Sequence, residues 1–189
     1  MTGLSLSQWR AWLISEYQCQ VAEVAAFAMI AARCSHHTQA ASFFTNIADQ
    51  LLRGRPTVLA AAAALDIDER ELAQAPLRPG VHEFTGFVSW LALHGTIGET
   101  ALVVRHDWIL YCAACAALAD AVSPQVSGPP PIVLRYLKGY ASPPQQVLDA
   151  ARALVDQALR DGEPEAQVTR SVSLTAITLE GFWRAVLAA

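Results

Sequence analysis

A chain of 189 residues that is 53% hydrophobic and only 16% charged carries too much apolar material to be disordered, and its length suits one domain, 1–189, around one core. The formal net charge is −4 and the basic residues are scattered, so the footprint of a nucleic-acid-binding protein is missing. Charge-free runs such as 108–119 fall short of the roughly 20 apolar residues that cross a bilayer, and the start of the sequence has no basic, signal-like segment; the expectations are no membrane partner and a cytoplasmic location.

The first helix is expected to open at Ser5 or Ser7 and run to about Cys34, with Leu13, Tyr17, Val21, Val24 and Ala28 as an apolar stripe and Glu16 and Glu23 beside it. A second helix follows from Gln39 to about Leu52. Gly54, Arg55 and Pro56 then read as a break, with Pro56 in the first turn of a third helix that continues through the alanine run 60–64. Asp68 is a candidate cap for a short helix ending near Ala75, ahead of the breaker at 76–80.

Two central helices come next, about 81–94 and 97–122, followed by a loop rich in Ser, Gly and Pro at 123–131. A short helix is expected over Ile132 to Tyr140. Ser142 and Pro143 read as cap and first turn of another, ending near Arg160, and a last helix spans Glu165 to about Leu187 with Val172, Ala176, Glu180, Trp183 and Leu187 on one face. No strand alternation or repeat is found, so the class is all-α.

Polar groups on apolar faces mark the candidate chemistry. Asp107 shares its helical face with Val103, Tyr111, Ala114 and Leu118, and Glu180 sits in the stripe of the last helix. A buried carboxylate needs a partner or a pocket. The Cys112 and Cys115 pair has the spacing of a redox or zinc motif but lies in mid-helix, away from the N-terminal dipole that activates such thiols. Cys19 and Cys34 complete the four cysteines, all expected to be reduced. Cys34, His36 and His37 form a weak metal-type cluster, and Glu99 with His106 resembles half of a di-iron set, yet no histidine follows His106. No metal and no cofactor are expected.

Several segments in order resemble the TenA/thiaminase II family. Residues 12–20, WLISEYQCQ, resemble its first-helix segment, and 82–99, HEFTGFVSWLALHGTIGE, its central aromatic-led helix. HDWILY at 106–111 is similar to the segment ending in tyrosine, LKGYAS to its tyrosine-alanine-serine segment, and LEGFW at 179–183 to its terminal glutamate segment, with the FW one residue early. The resemblance implies a heme-oxygenase-like multi-helix bundle that assembles as a homodimer or homotetramer. It places Glu16 at the aminopyrimidine-recognising carboxylate, Cys19 at a pocket aromatic and Phe84 near a pocket tyrosine, and it matches Tyr111 and Tyr140 to pocket tyrosines. It matches Glu180 to the terminal catalytic glutamate and puts Asp107 where the nucleophilic cysteine belongs.

A carboxylate near its normal pKa is a weak, hard nucleophile, so ordinary thiaminase II chemistry is not implied. Three readings stay open. The first is a small heterocyclic ligand, an aminopyrimidine from thiamin breakdown, hydrolysed with carboxylates, Asp107 and Glu180 acting on it. The second is a non-catalytic binding or regulatory protein of the same fold, and the third an oxidase of the PqqC or di-iron type.

Overall fold

The computed structural model describes residues 4–122 and 128–189, so the expected loop at 123–131 lies largely outside the described residues. The described residues form helices without strands: α1 (Leu6–Arg33), α2 (Thr38–Ala63), α3 (Glu69–Gln74), α4 (Pro79–His94), α5 (Ile97–Ala121), α6 (Pro131–Gly139), α7 (Gln145–Arg160), α8 (Glu165–Val168) and α9 (Val172–Leu187).

Local chemistry sets many of the ends. Ser5 caps α1 in a reciprocal box with Gln8, and Asp68 accepts from Glu71 N at 2.7 Å to start α3. At α5, Thr96 accepts from Glu99 N, while Glu163 takes the Thr96 hydroxyl and Gly98 N, placing a carboxylate at the positive end of the helix. Arg33 closes α1 by donating to Ala92 O at 2.6 Å and Gly95 O at 3.1 Å, which satisfies free carbonyls at the end of α4.

Packing then arranges the helices. A short connection makes α1 and α2 antiparallel, and Arg10 near the start of α1 reaches Asp66 O at 3.1 Å beyond the end of α2. Phe27 and Phe44 stack between them at 6.4 Å, and Trp12, Leu13 and Ile47 of the same two helices are fully buried. Across α4 and α9 the backbones meet at Gly80, where an added Cβ would lie 2.1 Å from Gly181 O. Only glycine permits that approach.

The helices depart from the sequence expectations in four places. α2 runs unbroken through Pro56. An interior proline costs about 3 kcal/mol, but Phe44, Ile47 and Leu51 before it and Val58, Ala61 and Ala62 after it all bury one face, which offsets the loss. Ser142 does not cap α7, which begins at Gln145 after Pro144 with no side-chain capping hydrogen bond.

The expected last helix is divided into α8 and α9 at Thr169–Ser171. There Arg170 forks onto Glu99, Nε to Oε1 at 3.0 Å and Nη2 to Oε2 at 2.7 Å, and the Ser171 hydroxyl donates to Oε1. Glu99 is fully buried, so this distant charge fixes where the helix stops. Finally, among the described residues α5 is long and apolar enough to cross a membrane by length and composition, which the charge-free runs do not suggest. It packs against α7 and α9 within the bundle.

Candidate functional site

Helical spacing turns three chemical groups of α1 to one side: Glu16, Cys19 and Glu23 stand three and four residues apart. α5 answers with Val104, Asp107, Trp108 and Tyr111 at the same intervals. These residues line a single cavity, with α2 giving Ile47 and Leu51, α4 giving Phe84, α9 giving Leu179 and Phe182, and Tyr140 closing it after α6. The cavity volume open to the centre of a water-sized sphere is about 50 Å³.

At one wall Glu16 is held by two phenols. The Tyr111 hydroxyl donates to Oε2 and the Tyr136 hydroxyl to Oε1, each at 2.7 Å, and Gln20 donates to the Tyr136 oxygen at 3.0 Å. Burial pushes the Glu16 carboxyl up, and the hydrogen bonds from Tyr111, Tyr136 and Gln20 pull it partly back. Both phenols are driven well above their ordinary range, first by burial, so they remain protonated donors.

The other two carboxyls lack such support. Asp107 is pushed up to about 7, mainly by burial and then by the Glu16 charge, and its Oδ1 is buried without a hydrogen-bond partner among the described residues. Glu23 is raised well above the usual carboxylate range by burial, then by Asp107 and Glu16. Among the described residues, no lysine, arginine or histidine lines the cavity. Burial and the three carboxyls together also lift the Cys19 thiol well above its ordinary value, leaving it a neutral thiol rather than a nucleophile.

Of the residues singled out in the sequence, Glu16, Cys19, Phe84, Asp107, Tyr111 and Tyr140 share this cavity. Glu180 does not. α9 buries Thr175, Thr178, Leu179, Phe182 and Val186, about one residue out of phase with the stripe read from the sequence, so Glu180 faces outward and pairs with Arg184. Sequence reasoning misses Glu23 and Tyr136 as site residues. Glu23 is legible, because it follows Glu16 and Cys19 at helical spacing, whereas nothing local sends the Tyr136 hydroxyl to α1.

The metal-type groups have other occupations. Glu99 is bound by Arg170 and Ser171, and the His37 imidazole caps α2 by accepting from Ala40 N at 3.3 Å. Cys112 and Cys115 are free and buried. No protein-family model matches the sequence, and no curated protein matches it. Fold and cavity thus define a class only: an all-α protein with an acidic, aromatic-walled pocket between its helices.

Proposed function

We propose that this is a TenA-like pocket protein on a heme-oxygenase-like bundle. It binds an aminopyrimidine of the kind left by thiamin breakdown and hydrolyses the exocyclic methylene C–N bond with carboxylates in place of the nucleophilic cysteine. One observation carries this reading: six residues chosen from scattered segments of resemblance line one cavity. Phe84, Trp108 and Tyr140 give the cavity aromatic walls against which a flat ring packs, and the carboxyls accept from its amino groups.

Asp107 is the acid-base group. With a pKa of about 7 it is divided between its two forms near neutrality, which suits a general base. A water oxygen bonds to the methylene carbon on the ring while its proton passes to Asp107. The C–N bond breaks, its electron pair goes to nitrogen, and an amine that entered as ammonium departs as free amine. Glu180 has no part, being exposed on the outer face of α9.

The test is release of ammonia and the alcohol from an aminomethyl aminopyrimidine, run beside thiamin. Turnover of the amine that disappears in Asp107→Asn, with binding of the uncharged hydroxymethyl product kept within a few-fold, is the expected result. Thiamin cleavage at roughly 1 per second or more would show that the nucleophile has been misassigned.

A second reading, binding without turnover, is favoured by Glu16: both oxygens already accept from tyrosines, so it is less free to grip a ring than its match in the family. Tight binding with no turnover of either compound would select it. Assembly as a homodimer or homotetramer belongs to the same proposal and is tested by sedimentation. Leu93, Leu174 and Ile177, exposed apolar residues of α4 and α9, are the side chains such an interface would cover.

A further inference from the structure

Beside the candidate site lies a second, larger hollow, between α2, α6 and the turn before α7. We infer that Tyr140 is the gate between this outer cleft and the inner cavity: its ring shuts the cavity where it stands and swings into the cleft to let a ligand pass. The inference goes beyond the proposed reaction and rests on that reading only in taking a flat ring as what enters.

The two hollows share a wall. By the same measure that gives the inner cavity about 50 Å³, the outer cleft has about 380 Å³. Leu51, Trp108 and Tyr140 line both, so among the described residues these three side chains form the partition. The inner space is also too small as it stands. An apolar cavity that takes up a benzene ring measures about 150 Å³, while one water needs about 10–15 Å³. About 50 Å³ therefore holds a few waters and no ring, and a wall has to move before a ring is seated.

Tyr140 is the part of the wall built to move. Leu51 is buried within α2, Trp108 stands in the interior of α5, and Tyr111 is tied to Glu16 by its hydroxyl. Tyr140 is half-buried and stands at the C-terminal cap of α6, in the turn that leads to α7, so neither helix has to unwind when it shifts. On the cleft side the chain leaves it room: a Cβ at Gly54 would come within 3.2 Å of its hydroxyl. On the shut side aromatic contacts hold it, stacking on Trp108 at 6.0 Å and meeting Tyr111 and Tyr136 edge to face at 5.7 and 5.2 Å. Such contacts are individually weak, so they can break and re-form as the ring turns.

Cys19 reports the gate without any ligand. Its thiol lines the inner cavity and is 4% exposed, whereas Cys34 is buried at the end of α1, outside the cavity lining. The full chain is treated with methyl methanethiosulfonate at mildly alkaline pH, and modification of each cysteine is followed by mass spectrometry of its peptides. Tyr140→Ala is expected to speed modification of Cys19 by roughly tenfold or more and to leave Cys34 unchanged, the mark of a local opening. Tyr140→Phe keeps the ring and should stay within about twofold of wild type. So should Leu179→Ala, which enlarges the cavity from α9 without touching the partition. Trp108→Leu, on the other side of the partition, is read in the same way and decides the matter if Tyr140→Ala is unfolded, which faster modification of Cys34 would disclose. Equal acceleration in Leu179→Ala, or a Cys19 rate no faster than wild type in the partition variants, overturns the gate. The pyrimidine reading is separate from this outcome. If Cys19 responds as expected and no aminopyrimidine binds, the gate stands alone; if an aminopyrimidine is turned over while Cys19 ignores the partition, only the gate falls.

Discussion

The Tyr111 hydroxyl donates to Glu16 Oε2 across 2.7 Å and so ties α5 to α1 at the wall of the cavity. Tyr136 makes the matching bond to Oε1 from α6, and three helices therefore converge on one carboxylate. Such a bond to an ionisable, buried acceptor is worth more than one at the surface, because water cannot replace the lost donor.

Tyr136→Phe removes one phenol and leaves Oε1 only the 3.4 Å approach of Gln20. Stability at pH 7 should fall by about 1–3 kcal/mol in urea unfolding. Because the lost bond had lowered the Glu16 pKa, that pKa should rise further in the variant. A loss below about 0.5 kcal/mol would mean that Glu16 is already neutral or reaches water.

Gly80 and Gly181 face each other across α4 and α9, but they should not respond alike to alanine. A Cβ at Gly80 would stand 2.1 Å from Gly181 O and 2.4 Å from its carbonyl carbon, so backbone must move. Overpacking of that kind costs about 1–3 kcal/mol or more. At Gly181 the nearest atom is the carboxylate end of Glu83 at 3.0 Å, which can swing aside. Replacing a mid-helix glycine also gains up to about 1 kcal/mol of helix propensity. Thermal unfolding should therefore show Gly80→Ala clearly destabilised and Gly181→Ala close to wild type or above it. Equal losses would show that the two helices do not approach as described.

What the sequence discloses here follows the range of the interaction responsible. The start of α1 and the cap of α3 are written within four residues, at Ser5 with Gln8 and at Asp68 with Glu71, and both are legible. The acidic face of α1 and the Asp107 face of α5 follow from helical period alone. Pro56 misleads because its penalty is local while the burial that overrides it comes from α1. The break before α9 answers to Glu99, 71 and 72 residues before its partners Arg170 and Ser171. Glu180 fails for a related reason. Several apolar phases exist along α9, including the exposed Leu174, Ile177 and Leu187, and the close approach at Gly80 and Gly181 is a contact between distant segments.

Stability should also depend on pH through the buried carboxyls. The Asp107 pKa is raised from 3.8 to about 7 on folding, so the folded state holds a proton that the unfolded protein has released. Its contribution to stability is fully present below about pH 4 and is lost as pH rises toward 7 or 8. Glu16 and Glu23 are also raised and push in the same direction. Each unit of raised pKa corresponds to about 1.4 kcal/mol, so the Asp107 share is on the order of 2–4 kcal/mol across that window. Wild-type stability, measured by urea unfolding from pH 4 to 8, should therefore decline toward alkaline pH. Asp107→Asn cannot ionise, and it should flatten the decline and make the variant the more stable protein at pH 8. A variant that keeps the wild-type slope would place the titration elsewhere, with Glu23 as the next group to replace. Adding the aminomethyl aminopyrimidine should itself flatten the wild-type slope, since a bound cation stabilises the ionised carboxyls in the same window.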